Sequence, residues 1–235
     1  DIMGKLPWIF GIFHAYEPQN HIHGDYEYIA KKLEIASQDP LCKGMAFWPE
    51  TSHSDILMLE YFKENAWKPS KRSIDEIATD LCLKRYGEDS VFMLSVWKSF
   101  LPLLKLPMKE HMPSFVDILK TNAVFLRMFD FKDERRKDCE EYWGGCEDYE
   151  LGFEKYMKQI FSLIIAMPDE VLNKPFVRRD ISDIMKVVVM LKLQYRFIKL
   201  SFSILRWYRG ADEADAIREL LSYNEKMLSV FSDVL

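Results

Sequence analysis

The stretch Pro7–His14 reads PWIFGIFH, and a second apolar stretch, Gly44–Trp48, reads GMAFW. Short apolar runs of this kind, rich in aromatic or β-branched residues, are typical of buried strands. Between them an apolar repeat at helical spacing runs from Tyr26 to Ala36, and Asp39-Pro40 is placed to end that helix. The sequence therefore predicts a strand, a helix and a second strand over the first fifty residues.

A second helix is predicted after Pro49-Glu50. Ser52-x-x-Asp55 resembles a capping box, and the apolar stripe of this helix would consist of Ile56, Leu59, Phe62 and Ala66. Apolar strands that alternate with helices are typical of a parallel sheet covered by helices. Two such units cannot close an eight-stranded barrel, so residues 1–69 are expected to be the last two βα units of a (β/α)8-type barrel. The remaining strands are expected from sequence upstream.

Everything after residue 69 has the pattern of helices. Ser73-x-x-Glu76 is a second capping-box candidate, and Gly87 is placed to end the helix that follows it. Further helices are predicted from Ser90 to Pro102 or Pro107, and over 115–131, 149–167, 181–208 and 212–235. The sequence therefore predicts a mainly α fold, with residues 70–235 forming an all-α helical bundle domain.

The composition excludes several classes of protein. Hydrophobic residues make up 49 % and charged residues 29 %, which excludes a disordered chain. The 9 glycines are too few for a typical all-β sandwich. A net charge of −5 disfavours nucleic-acid binding, because phosphate neutralisation needs a basic surface. Without an apolar stretch of about 18 residues, no membrane span is expected.

The four cysteines form no C-x-x-C pair, so a zinc ribbon or a thioredoxin-type site has no support. Cys82 lies in an apolar helical pattern and is predicted to be a buried free thiol. Cys139 and Cys146 could form a disulfide in a secreted protein, or both could be free thiols.

Glu50 is a candidate for catalysis because it directly follows a predicted strand. In barrel enzymes the carboxyl ends of the strands carry the catalytic groups, and a carboxylate there can act as nucleophile, base or acid. The alternative is a solvated loop glutamate. Trp48 could stack on the apolar face of a sugar ring, or it could simply be part of the core.

The polar loop after the first strand is a candidate for substrate binding. His14 closes that strand, and Asn20, His21 and His23 follow it. These side chains suit a substrate with several hydroxyls or an amide. The imidazoles of His14, His21 and His23 could instead bind a metal, or they could bond to the loop backbone.

A basic segment is the remaining candidate surface. Nine Lys and Arg residues lie between Val171 and Arg209. They could bind an anionic glycan or a phosphate. The sequence favours a solvated helix face paired with the acidic stretch Asp138–Glu154.

The motifs at these positions resemble the α-N-acetylglucosaminidase family of glycoside hydrolases. Members carry a pattern close to G-K-P-(W/F)-I-W-x-M-L-H-N-F-G-G-N, and this chain has GKLPWIFGIFH over Gly4–His14, then Asn20-His21. The family then shows G-M-x-P-E-G-I-x-Q-N, and this chain has Gly44-Met45-Ala46, then Pro49-Glu50 and Asp55. The family's later Trp and R-R-Y-G correspond here to Trp67 and to Lys84-Arg85-Tyr86-Gly87. The chain differs by the extra Phe47-Trp48, by Thr51 in place of a Gly, and by Pro18-Gln19 in place of Gly-Gly.

The resemblance implies a retaining exo-glycosidase that removes terminal N-acetylglucosamine from glycans. Glu50 falls on the nucleophile, while the acid/base carboxylate would come from a strand upstream, about 5–5.5 Å away in the folded site. His14, Asn20, His21 and Trp48 would contact the sugar. No cofactor, nucleic acid or membrane is implied, and the expected partners are the glycan and the upstream part of the barrel. A secreted, periplasmic or lysosomal location would follow.

Two other functions stay open at this point. The helical region could be a non-catalytic scaffold or an interaction module. Alternatively, the chain could belong to a metal-dependent barrel hydrolase that uses His14, His21 and His23 as ligands.

Overall fold

A computed structural model describes residues 4–14, 22, 24–49, 55–104, 152–208, 210–211 and 213–232. The described part is mainly helical, with a small two-stranded parallel sheet. Its elements are β1 (Trp8–His14), α1 (Tyr26–Gln38), β2 (Cys42–Pro49), α2 (Ile56–Asn65), α3 (Ile74–Tyr86), a 3₁₀ turn (Gly87–Asp89), α4 (Ser90–Leu104), helical residues 152–165, α5 (Asp169–Leu172), α6 (Pro175–Tyr208) and α7 (Ala214–Ser232).

The chain divides into two compact units. Unit 1 combines residues 1–105 with 156–186, and unit 2 combines 106–155 with 187–235. This division does not test the predicted boundary at residue 69 between a barrel part and a helical domain. That boundary stays a prediction.

The sheet has the predicted parallel order. β1 pairs with β2 from Trp8 opposite Cys42 to His14 opposite Pro49, with one register shift after Trp8. Asp39 accounts for the geometry at the amino end: its backbone N–H bonds Ala36 at the end of α1, and its carboxylate accepts from Trp8 Nε1 at 2.9 Å. One residue, Asp39, therefore holds the helix end through its backbone N–H and the strand start through its carboxylate.

The two faces of the sheet differ. Leu33 of α1, Phe62 of α2 and Ala66 form a buried cluster, and one face of the sheet packs against it through Phe10, Ile12, Met45 and Phe47. The alternation of side chains along a strand directs the neighbouring residues to the other face. There Ile9 is 60 % exposed, Phe13 56 % and Trp48 55 %. One face is therefore covered by helices, and the other presents apolar side chains to solvent.

Helix α2 differs from its prediction at its start. Asp55 is itself the N-cap, with its Oδ1 accepting from the Met58 N–H at 3.0 Å, so it is not the third helical residue of a box begun by Ser52. Phe62 and Ala66 are buried as predicted, whereas Leu59 is exposed. The buried residues spread over a wider arc, because α2 packs against α3 as well as against the sheet cluster.

Helix α3 begins and ends as its sequence predicts. Ser73 Oγ accepts from the Glu76 N–H at 3.3 Å, and the Glu76 carboxylate accepts from the Ser73 N–H at 2.8 Å, which completes the capping box. Gly87 has φ +59°, a conformation that L side chains rarely adopt. Upstream, Asn65 bonds both the N–H and the C=O of Arg72, so its side chain fixes the connection between α2 and α3.

A buried polar network joins α3, α4 and α6 within unit 1. The Arg85 guanidinium donates from Nε and Nη2 to the two carboxylate oxygens of Asp180, the second bond measuring 2.8 Å. Tyr86 Oη donates to Asp180 Oδ2 at 2.6 Å and accepts from Trp97 Nε1 at 3.2 Å. Burial and the charge of Asp180 raise the pKa of Tyr86, so its hydroxyl stays protonated. Arg85 and Tyr86 of the Lys84–Gly87 motif thus hold α3 against α6.

The cysteine prediction is confirmed at Cys82, which is a buried free thiol. Burial raises its pKa to about 12, and the negative charge of Asp180 adds to this. Cys139 and Cys146 lie outside the described residues, so neither a disulfide between them nor two free thiols is tested. The helix predicted over 115–131 also lies outside the described residues.

The described part of unit 2 is held by charged groups as well as by apolar packing. Lys192 is buried and pairs with Glu154, the last residue of the predicted acidic stretch. The Arg196 guanidinium lies 4.3 Å from the centre of the Tyr223 ring, and Arg206 pairs with Glu213 at 3.0 Å. The predicted pairing of the basic and acidic stretches is confirmed for Lys192 and Glu154, but Lys192 is buried and does not lie on the solvated helix face that the sequence favoured. In the described parts of the chain, every helix is too short or too polar to cross a membrane.

Candidate functional site

The carboxyl ends of the two strands finish side by side. His14 and Pro49, the last residues of β1 and β2, are register partners. Glu50 is the next residue in the sequence and lies outside the described residues, together with Asn20, His21, His23 and His53. His14 therefore lies at the carboxyl end of the sheet. In barrel enzymes this end of the strands carries the catalytic groups.

His14 is buried and lies on the helix-covered face. Its Nε2 is 2.9 Å from Asp55 Oδ2, and the two side chains are only 4 % and 1 % exposed. An ionised carboxylate only accepts hydrogen bonds, so this contact requires the ring proton on Nε2. The imidazole also packs against Phe47, with ring centres 5.7 Å apart. Its partner Asp55, which the sequence indicated only through the capping motif, lies 41 residues along the chain.

Two tyrosines complete this buried corner. The ring of Tyr26 meets that of Tyr61 edge to face at 5.0 Å, and Tyr61 Oη donates to the Tyr26 carbonyl at 3.2 Å. The Tyr26 hydroxyl is buried and has no hydrogen-bond partner among the residues that the structure describes. Burial first, then the negative charge of Asp55, raises the pKa of Tyr26 well above its ordinary value. Tyr26 was visible in the sequence only as one position of a helical repeat.

Trp48 lies on the opposite face of the sheet from His14. The register pairs it with Phe13, one residue before His14, and side chains alternate along a strand. Its indole lies over Gly11, where an added Cβ would meet the ring. The residue is 55 % exposed, so an aromatic surface remains accessible. The structure therefore does not bring Trp48 and His14 together on one face, and their contacts with a sugar stay predictions.

The metal hypothesis receives no further support from the described residues. Within them, no group of three or more His, Cys, Asp or Glu side chains could hold a metal ion. His21 and His23 lie outside that part of the chain, so the hypothesis built on them stays untested.

A separate concavity of about 410 Å³ lies in unit 1, where α5 meets the first turns of α6. Its lining consists of Leu172, Asn173, Arg178, Ile181, Ser182 and Met185. Arg178 belongs to the basic segment singled out in the sequence, and it is the one charged residue of this lining.

Comparisons of the chain with models of known protein families, with curated proteins and with solved structures find no match.

Proposed function

We propose that the chain is the carboxy-terminal part of a retaining exo-glycosidase that hydrolyses terminal N-acetylglucosaminides. The other strands of its (β/α)8-type barrel and the acid/base carboxylate would come from upstream sequence. The observation that carries this proposal is the parallel pairing of β1 and β2, with His14 opposite Pro49. Glu50 follows Pro49 directly in the sequence, and barrel enzymes hold their catalytic groups just after the carboxyl ends of their strands.

The two faces of the sheet support the barrel. In a (β/α)8 barrel the helices cover the outer face of the strands, and apolar side chains of neighbouring strands fill the interior. Here α1 and α2 cover one face, while Ile9, Phe13 and Trp48 make the other face apolar and exposed. An exposed apolar face of this kind fits a surface that further strands of a barrel would cover.

The proposed reaction has two displacement steps. The Glu50 carboxylate attacks the anomeric carbon, the glycosidic C–O bond breaks, and the leaving oxygen takes a proton from the upstream acid. Water then attacks the same carbon, gives its proton to that group and releases Glu50. Trp48 offers an aromatic surface to the sugar ring, and Asn20 and His21 are candidates for binding the acetamido group and the hydroxyls.

The test uses the chain joined to the upstream sequence that the proposal requires. Release of the phenol from an aryl α-N-acetylglucosaminide is measured for the parent protein, Glu50→Gln and Glu60→Gln. Glu60 is the matched control, because it lies on α2 and forms a surface ion pair with Lys63 at 2.7 Å. We expect Glu50→Gln to lower kcat by roughly 10³-fold or more, as loss of a nucleophile does, and Glu60→Gln to leave it unchanged.

A chemical rescue separates the nucleophile from other roles. Glu50→Ala with added azide should form a glycosyl azide, because the anion can attack the anomeric carbon in place of the missing carboxylate. Residues 1–235 alone should show no turnover, since the acid partner is absent. Equal activity of Glu50→Gln and the parent protein would show that the nucleophile assignment is wrong.

A non-catalytic role of the helical region is the second candidate. The observation that favours it is the Arg85–Asp180–Tyr86 network, which uses residues of the Lys84–Gly87 motif to hold helices together. A correctly folded complete protein without turnover on any N-acetylhexosaminide would support this second function.

A further inference from the structure

We propose that unit 2 contains a phosphate-binding site between α6 and α7, formed by the side chains of Arg196 and Asn224. Both residues belong to described helices of the same unit. The site is independent of Glu50 and of the proposed hydrolysis. Its ligand would be a hydrogen phosphate ion, which carries negative charge, acceptor oxygens and an O–H donor.

The two helices run antiparallel beside each other. Near their connection, Arg206 Nε lies 3.0 Å from Glu213 Oε1. Ten residues back along α6, from 206 to 196, and ten forward along α7, from 213 to 223, the Arg196 guanidinium lies 4.3 Å from the centre of the Tyr223 ring. The two contacts are equally far from the connection, so Arg196 stands level with Tyr223 and with the next residue, Asn224.

Asn224 is a buried amide without a hydrogen bond. It is 4 % exposed, and neither its Nδ2 nor its Oδ1 has a partner among the residues that the structure describes. Buried polar groups in folded proteins are almost always hydrogen-bonded, because the loss of contact with water costs free energy that a new bond must offset. A donor and an acceptor are therefore both available to a ligand at this place.

The Arg196 guanidinium lacks a counter-charge. Its Nε is buried and unbonded, and the ion pairs within the described part of the chain do not include it. On the same helix, Lys192 pairs with Glu154. Arg206, further along, pairs with Glu213. A partly buried cation without a carboxylate favours an anionic ligand, and the guanidinium fork matches the oxygens of phosphate.

The three unpaired atoms select the ligand. Arg196 Nε and Asn224 Nδ2 require acceptor oxygens, whereas Asn224 Oδ1 requires a donor. Water meets the hydrogen bonds but leaves the guanidinium charge unneutralised. Sulfate or a carboxylate supplies the charge but no O–H. Hydrogen phosphate supplies both, so it can pair all three atoms at once.

The first experiment titrates residues 1–235 with inorganic phosphate in a calorimeter at constant ionic strength. We expect one site with a Kd below about 1 mM. Arg196→Gln and Asn224→Leu should each raise the Kd at least about tenfold, because each removes bonds to the ion. Arg218→Gln is the matched control, since it also removes one positive charge but lies on the surface of α7, where Arg218 pairs with Asp215. Its Kd should stay within about twofold of the parent.

Asn224→Leu keeps the proposal testable if Arg196→Gln does not fold. Leucine has a similar size and removes both unpaired polar groups, so the variant should unfold at the same urea concentration as the parent or a higher one when phosphate is absent. Added phosphate should then raise the unfolding midpoint of the parent and not that of Asn224→Leu, because a ligand stabilises only the protein that binds it. Equal stabilisation of the two proteins would overturn the proposal.

The last measurements identify the ligand. Sulfate and acetate should bind at least about tenfold more weakly than phosphate, because they leave Asn224 Oδ1 unbonded, and equal affinity for sulfate would overturn the role of Asn224. Phenyl phosphate distinguishes the free ion from the phosphate group of a larger ligand, since only the latter source predicts equal binding of the ester. The Arg196 Nε–H resonance, identified by its absence in Arg196→Lys, should shift when phosphate is added. An unshifted resonance, or no saturable binding by the parent, would show that there is no phosphate site here.

Discussion

Asp180 shows how much one buried carboxylate can hold together. It accepts from both nitrogens of the Arg85 fork and from the Tyr86 hydroxyl, and these groups come from a helix more than ninety residues earlier in the chain. The Arg85 guanidinium also lies 4.6 Å from the centre of the Phe176 ring. Bidentate charge-assisted bonds of this kind are among the strongest side-chain contacts in proteins.

We therefore expect Asp180→Ala to lower the free energy of unfolding by about 3–5 kcal/mol. The substitution leaves a partly buried guanidinium without its counter-charge and removes the acceptor of the buried Tyr86 hydroxyl. Urea unfolding followed by circular dichroism measures the change.

Asp183→Ala is the matched control, three residues further along α6. Its carboxylate pairs with Lys186 at 3.0 Å on the surface, and such pairs contribute about 0–1 kcal/mol. Equal losses for the two variants would contradict the argument that the Asp180 network is a main support of unit 1.

For single residues, the sequence predicted the place in a strand or helix better than the hydrogen-bond partner. It indicated His14 as the last residue of a strand and Asp55 as part of a cap, and the structure has both there. It gave no signal that they bond to each other, because 41 residues separate them and the contact depends on the packing of α2 on the sheet. The opposite orientations of His14 and Trp48 depend on the strand register, which a single sequence does not reveal.

Among the elements, local chemistry fixed the ends that were predicted well. Asp39 ends α1, Ser73 and Glu76 begin α3, and positive φ angles at Gly87 and Gly210 accompany helix ends. Each of these signals is a side chain or a glycine acting on its own neighbours, so it can be recognised without the fold.

Other boundaries were missed because tertiary contacts or weak signals decide them. Helix α6 begins at Pro175, six residues before the predicted Ile181, because proline is tolerated in the first turn of a helix, where its missing N–H leaves no bond unmade. Helix α4 begins at Ser90 as predicted and continues through Pro102 to Leu104, the last described residue before 152, so the alternative end at Pro107 stays a prediction. The start of α2 moved to Ile56 because Asp55 serves as both cap and partner of His14.

The sheet itself offers a test through its two glycines. A Cβ on Gly11 would meet the Trp48 ring, whereas a Cβ on Gly44 would have Ile9 Cγ1 as its nearest neighbour at 3.9 Å. We expect Gly11→Ala to lower the free energy of unfolding by about 1–2 kcal/mol, because the indole must leave its place on the strand.

Gly44→Ala is the control on the partner strand. It should leave stability unchanged or raise it by up to about 1 kcal/mol, since alanine restricts the unfolded chain and meets no obstacle here. Both values come from urea unfolding of residues 1–235. Equal losses in the two variants would mean that the placement of the indole over Gly11 contributes nothing specific.

At the scale of the whole molecule, the mainly helical fold and the parallel pairing were predicted correctly from hydrophobic periodicity. The barrel itself stays a prediction, because it requires strands from upstream sequence and depends on the motif resemblance. Besides the parallel pairing, the structure supports that proposal by the contrast between a helix-covered face and an exposed apolar face of the same two strands. The barrel predicts that this apolar face becomes buried in the longer protein, and the free energy of unfolding of suitable variants measures whether it does.

Phe13→Ser probes this face in two contexts. In residues 1–235 Phe13 is 56 % exposed, so we expect a loss of only about 1 kcal/mol in the free energy of unfolding. In the protein that includes the upstream sequence, neighbouring strands would bury the ring, and the loss should rise to about 3–5 kcal/mol. Urea unfolding of the two proteins, each with and without the substitution, gives the difference.

Leu83→Ser on α3 is the matched control, because Leu83 is also 56 % exposed but lies on a helix and not on the sheet face that a barrel would bury. Its small loss, mostly one of helix propensity, should be the same in both proteins. If Phe13→Ser costs no more in the longer protein than in residues 1–235, the upstream sequence does not cover this face, and the two strands are not part of a closed barrel. A larger cost at Phe13 together with an unchanged cost at Leu83 would locate the buried surface on the face that carries Trp48, where a barrel requires it.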